Sequence, residues 1–213
     1  MSGLFITFEG VEGAGKSTQA ALLRDALQRA GLRVRALREP GGTPVGESIR
    51  ALLLSEKDPV TLQAELLLFL AARAQLVEMV IRPRLSAGEI VICDRYIDST
   101  TAYQGYARGN DLELVQKMNE FATGGLNPDI TFLLDLEPTV GLNRQKDRNR
   151  MEAEGLAFHE RVRHGFLAIA RAEPQRVTVI DAARPAIQLQ EMILDQVSAR
   201  LPAGAIPESV KSV

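Results

Sequence analysis

Apolar runs rich in β-branched residues recur along the chain at LFITFE (4–9), VRALRE (34–39), EIVICD (89–94), DITFLLDL (129–136) and RVTVIDA (176–182). Runs this short, apolar almost throughout, suit strands buried on both faces. Between them apolar positions fall at helical spacing: STQAALLRDALQRAG closed by Gly31, VGESIRALLLSE, the long TLQAELLLFLAARAQLVEMVIRPRL interrupted near Pro83, LELVQKMNEFATGG and EGLAFHERVRHGFLAIARAE. A last helix, PAIQLQEMILDQVSARL, ends at 201. Strands alternating with helices predict an α/β fold, a five-stranded parallel sheet with helices on both faces. No internal repeat is visible. Residues 1–201 read as a single domain, and PAGAIPESVKSV (202–213) as a short, flexible C-terminal tail.

Ligands of such a sheet gather beyond the carboxyl ends of its strands, and the chemistry-bearing residues of this chain cluster there. The first strand runs into GVEGAGKST, which completes the pattern G-x-x-x-x-G-K-[ST] with Gly10, Gly15, Lys16 and Ser17. Glycines let consecutive N–H groups curl around one anion, and the following helix adds its positive end. Lys16 is then placed for the β- and γ-phosphates, and the Ser17 hydroxyl for Mg²⁺. Gly10, Val11, Glu12, Gly13, Ala14, Gly15, Lys16, Ser17 and Thr18 therefore form a candidate phosphate-binding loop for a nucleotide. The second strand ends at Arg38, the third at Asp94 and Arg95, and the fourth leads into the arginine-dense LEPTVGLNRQKDRNRME. One such arginine alone reads as a solvated side chain. Several on one sheet edge beside a phosphate loop point to a second phosphate-bearing substrate, since guanidinium forks match phosphate oxygens.

Composition narrows the setting. The 213 residues carry a formal net charge of −2, which offers no field for duplex nucleic acid. The single cysteine, Cys93, excludes an intrachain disulfide and reads as an inert buried thiol. No apolar stretch approaches a membrane span and the first residues lack a signal-peptide pattern, so a cytoplasmic location is the default. No N-K-x-D guanine motif is present to support a regulatory GTP switch.

DRYIDSTTAYQG (94–105), REPGGT (38–43), FLAAR (69–73) followed by QLVE, and the RMEAEG…FHERVR segment, taken with FEGVEGAGKST, resemble the motifs of thymidylate kinases. The matches run in order along nearly all of the chain except the tail. The resemblance implies a P-loop NTPase fold of nucleoside monophosphate kinase type with a small lid, about 138–155. It implies transfer of the γ-phosphoryl of ATP to dTMP with Mg²⁺, and a homodimer built through helices beside the active site.

Roles follow by the same resemblance. Arg38 and Arg95 grip the acceptor phosphate, Phe69 stacks on thymine, and Arg73 bonds its O4. Thr100 and Gln104 add polar contacts to the base, with Ser99 nearby, and Tyr103 crowds the sugar where a 2′-hydroxyl would stand. Pattern alone makes Phe69 a core residue; only its FLAAR context reverses that. Ser17 and Asp94 are the metal candidates, although Asp94 also fits a strand-end cap, and Glu9 fits either an anchor or a water-mediated metal contact. Glu12 lies near the acceptor's sugar hydroxyl. Gly13 stands where some members place an arginine, so positive charge is expected from lid residues Arg144, Lys146, Arg148 and Arg150. Arg144 is assigned to ATP and Arg148 to catalysis, beside Lys16, Arg95 and Glu12. Glu152 and Glu160 are candidates for ordering the lid. His159 and His164 read as ordinary helix residues, and the isomer of the Glu39–Pro40 bond is left open.

Overall fold

The computed structural model describes residues 3–55, 59–144, 150–151, 153–207 and 210. Among these, five strands form one parallel sheet: β1 (Phe5–Glu9), β2 (Val34–Arg38), β3 (Ile90–Asp94), β4 (Ile130–Asp135) and β5 (Val177–Asp181), in the order β2-β3-β1-β4-β5. Each agrees with a predicted run to within one residue at either end. β1 and β4 are buried along almost their whole length because helices cover both faces.

The main core lies on the face covered by α1 (Lys16–Arg29), α8 (Leu156–Ala172) and α9 (Ala186–Ser198), around Phe8, Leu23, Phe132, Phe166 and Ile193. The opposite face packs Phe5, Leu76, Ile81, Val91, Cys93 and Tyr96. Cys93 is fully buried there, and burial pushes its thiol well above the ordinary range. Alongside run α2 (Pro44–Leu54), α3 (Leu62–Leu76) and α6 (Leu112–Thr123), with α2 against α3 and α3 against α6.

Three departures from the sequence pattern matter. The long helix does not break at Pro83. It widens into a π-helical turn, Val77–Ile81, and resumes as α4 (Arg82–Ser86), with Pro83 in the first turn, where its missing N–H costs least. The stretch after β3 is helical, α5 (Ile97–Thr100) running into a π-helical segment, Thr101–Ala107, and α7 (Pro138–Arg144) follows β4. Within the expected flexible tail, two described residues are buried: Ile206 and Val210 are 4% and 8% exposed within the main core, because apolar side chains there find the sheet-covering layer.

Candidate active site

The turn from β1 into α1 builds the phosphate loop. Gly10, Gly13 and Gly15 all take positive φ, at 141°, 69° and 93°. A Cβ on Gly13 would be driven into the backbone carbonyl of Gly141 on α7, so no side chain fits where an arginine might have stood. Val11 and Ala14 turn their side chains into the core and leave their backbone to the loop. Lys16 is buried and donates to the carbonyls of Gly10 (3.1 Å) and Val11 (2.8 Å). Burial, then the neighbouring Arg95, lowers its pKa to about 8. Ser17 donates a hydrogen bond to Asp94 across the β1–β3 boundary. Among the described residues no cluster of three His, Cys, Asp or Glu could hold a metal alone. Ser17 and Asp94 do suit a hard divalent ion that takes its other ligands from phosphate and water.

Glu12 joins the loop to the stretch that follows β3. Its Oε1 accepts from Arg95 (2.9 Å) and its Oε2 from the Tyr103 hydroxyl (2.6 Å). Burial alone would raise this carboxyl; Arg95, His159, Lys16 and Tyr103 together outweigh it and hold it well below the usual carboxylate range. His159 Nδ1 approaches the same Oε2 at 3.5 Å, so this histidine faces the site from within the core, not as an ordinary helix residue. His164 remains on the surface of α8. Arg95 holds φ at +73°, a left-handed conformation that costs a non-glycine residue about 1 kcal/mol. Bonds to Glu12, the Gly10 carbonyl and Ser99 over-determine it. Glu9 is an anchor: it accepts from the N–H groups of Tyr96 (2.7 Å) and Ser99 (3.3 Å) and from Ser99 Oγ (2.6 Å). Burial, then the charge of Asp98, pushes its pKa up to about 8.

Beyond this junction a cavity is lined by Phe69, Arg73, Arg95, Ser99, Thr100, Tyr103 and Gln104, with Glu39, Arg50 and Met151. Phe69 is only half-buried, so it is a wall of this cavity and not core. Tyr103 is clamped by the edges of Phe158 and Phe166, each 6.1 Å between centroids, with the Arg95 guanidinium 5.1 Å from its own ring centre. Arg73 reaches the cavity but is 1% exposed and spends its donors on the protein. Nε bonds Glu39 (2.8 Å), Nη1 bonds Thr100 (2.8 Å) and Asn119 (2.6 Å), and Nη2 bonds the Tyr96 carbonyl (2.9 Å). The same Nη2 lies 2.7 Å from Glu39. The Glu39–Pro40 bond is cis.

The phosphate loop opens a second cavity, bounded by Glu12, Gly13, Gly15, Lys16, Ser17, Thr18, Arg38, Glu39, Arg50, Asp94, Arg95 and Arg144. Arg38 is exposed there and paired with Glu47 (3.0 Å). Arg144 bonds the Gly13 carbonyl (3.0 Å). Arg50, which the sequence reading missed, lines both cavities and donates to the Pro40 carbonyl (2.9 Å). Its only signal was its place on the helix following REPGGT. Lys146, Arg148 and Glu152 lie outside the described residues. Arg150 is engaged elsewhere than at the loop cavity: it bonds the Leu53 carbonyl (2.9 Å) and Glu65 (2.8 Å). Glu160 is exposed on α8.

Comparison with known proteins meets this geometry. A family model described as thymidylate kinase matches residues 8–193. The thymidylate kinase of Synechococcus sp. (strain JA-3-3Ab) is 52% identical over 204 residues, covering 96% of this chain and 99% of that protein. The thymidylate kinase of Deinococcus radiodurans is 51% identical over 93% of this chain and 98% of its own. The crystal structure of thymidylate kinase from Ehrlichia chaffeensis superimposes with a TM-score of 0.77 at 36% identity, covering 92% and 99% of the two chains. A phosphate loop and an arginine-rimmed second cavity on one sheet edge thus accompany relatedness over nearly the whole length, and the chain belongs to the thymidylate kinase family.

Proposed function

We propose that the chain transfers the γ-phosphoryl group of ATP to dTMP, giving ADP and dTDP, and that the two cavities are its donor and acceptor sites. One observation carries this reading: the loop cavity and the Phe69 cavity share Glu39, Arg50 and Arg95, so two arginines stand where the phosphates of two ligands meet. An oxygen of the acceptor phosphate attacks the γ-phosphorus as the bond to the β,γ-bridging oxygen breaks. The nucleophile is already anionic, so positioning and charge neutralisation do the work.

In this reading the loop from Gly10 to Thr18, with Lys16 and Arg144, holds ATP. Ser17 and Asp94 would hold Mg²⁺, which would supply charge neutralisation for the phosphates of ATP. Arg38, Arg50 and Arg95 hold the acceptor phosphate. Phe69 stacks on the base, Tyr103 walls off the sugar, Ser99 steadies Arg95, and Thr100 and Gln104 meet the base edge. Arg73, its donors engaged, acts through Thr100. Glu12 aligns Arg95 and Tyr103, and Arg148 from the lid (about 138–155 of a single domain) supplies charge to the transferring group. A cytoplasmic homodimer is proposed. Its support is the outward apolar set Leu52, Leu67, Met79, Leu114 and Phe121 on the packed α2, α3 and α6 layer and its π-helical extension.

ADP production with dTMP, dUMP, dGMP or no acceptor tests the reading, in the native protein and in Arg50→Ala. Turnover should require the acceptor and be strongest with dTMP. Arg50→Ala should raise the KM for dTMP about 10–100-fold, the worth of one charged hydrogen-bond donor, while that for ATP moves less than about 3-fold. Acceptor-independent ADP release, or a shift falling on ATP instead, would overturn the assignment.

A further inference from the structure

Glu65, in the first turn of α3, is fully buried, bonds Gln104 of the Phe69 cavity wall, and has none of the roles above. Its Oε1 lies 2.9 Å from Gln104 Nε2 and 3.2 Å from Arg108 Nε. Its Oε2 lies 2.8 Å from Arg150 Nη1 and 3.3 Å from Arg108 Nη2. Burial works against its ionisation, and Gln104, Arg108 and Arg150 outweigh burial, holding the carboxyl below its ordinary range. An ionised carboxylate only accepts hydrogen bonds. The Gln104 atom facing it must therefore be the NH₂ group, and the carbonyl oxygen is what Gln104 offers the cavity it lines. The same logic fixes Thr100. Arginine only donates, so Thr100 Oγ1 accepts from Arg73, and the hydroxyl hydrogen is left for another acceptor.

We propose that Glu65 is a positioning residue for base specificity: by locking the sense of the Gln104 amide, it makes the cavity present a donor at Thr100 beside an acceptor at Gln104. The two residues stand four apart on the helical stretch after β3 and line one cavity. A pyrimidine with a carbonyl at C4 and N3–H matches that order. A pyrimidine with an amino group at C4 and a bare N3 opposes it at both points, and buried mispaired groups of this kind discriminate strongly. The buried ion pair of Arg73 with Glu39 and the cluster of Glu65 with Arg108 and Arg150 thereby write a two-letter code onto two neutral side chains. This inference rests on the acceptor assignment of the Phe69 cavity.

The test compares dTMP with 5-methyl-dCMP, which has the same shape and methyl group but reversed donor and acceptor at positions 3 and 4. Native enzyme should prefer dTMP strongly in kcat/KM. Glu65→Gln frees the Gln104 amide to turn, and the ratio of the two kcat/KM values should fall about 10–100-fold, largely through a gain with 5-methyl-dCMP. Equal losses on both acceptors, with the ratio unchanged, would reduce Glu65 to a structural role and overturn the proposal. Absence of turnover with dTMP in the native enzyme would overturn the acceptor assignment itself. Should Glu65→Gln not fold, the native enzyme still decides. With ¹⁵N-glutamine labelling, and the Gln104 signal assigned by its loss in Gln104→Met, dTMP should leave the Nε2 resonance little changed. A large shift would mean that the NH₂ group meets the base, contrary to the proposal.

Discussion

Tyr103 separates two effects that a single ring usually confounds. Its hydroxyl donates to Glu12 at 2.6 Å, while its ring is pinned by Phe158, Phe166 and Arg95. Tyr103→Phe removes only the hydroxyl. A hydrogen bond to a charged group is worth about 1.5–3 kcal/mol, and Glu12 keeps Arg95 at 2.9 Å, so the loss should stay within that range. For a chain of this size each kcal/mol moves the melting temperature about 2–4 °C, giving an expected fall of about 3–12 °C. Sugar discrimination should behave differently. A wall that excludes a hydroxyl by bulk rejects the larger ligand about 100-fold. Since the ring stays where three neighbours hold it, the ratio of kcat/KM for dTMP over its ribo counterpart should change less than about 3-fold. Tyr103→Ala, lacking the wall, should lose most of that ratio. Calorimetry with a coupled ADP assay on both variants provides the readout. Relaxed discrimination in Tyr103→Phe would refute the steric account and shift selectivity to Glu12 and the hydroxyl.

Glu9 predicts a pH dependence. Its folded pKa is raised from 4.5 to about 8, so the folded state binds a proton that the unfolded chain has released. The resulting stabilisation is fully present below 4.5 and is lost as pH rises through about 8, by at most about 1.4 kcal/mol per pH unit. Urea unfolding between pH 5 and 8 should therefore show a downward trend that Glu9→Gln flattens; parallel curves would dismiss it. Phe121 is 90% exposed on α6, and Phe121→Asp should weaken self-association at least about 30-fold in sedimentation equilibrium. An unaltered dimer, or a monomeric native protein, would remove this face from the interface.

Sheet and phosphate loop were legible because their causes are local: apolar β-branched runs for strands, and glycines at fixed offsets for an anion-binding turn. The helix after β3 was not legible. IDSTTAYQG is rich in β-branched and small polar residues with poor helix propensity, and its first turn is tied by Glu9, whose bond to the Tyr96 N–H spans 87 residues of sequence. Arg50 escaped notice because an arginine on an amphipathic helix looks the same whether it faces water or a cavity. For Arg73 the motif gave the position but not the occupancy of its donors, which depends on Glu39, Tyr96, Thr100 and Asn119 meeting in space. The anchoring of Ile206 and Val210 is likewise a tertiary contact without a local signature.

The cations of this site are held on the protein's own acceptors: Lys16 on the carbonyls of Gly10 and Val11, Arg95 on Glu12 and the Gly10 carbonyl. An anion that enters competes with those acceptors for the same cations. Free inorganic phosphate brings nothing else to offset what it disrupts. In the proposed reading a nucleotide adds ring stacking and sugar contacts. The resting bonds thus weigh more heavily against small anions than against ligands with a body attached to their phosphate.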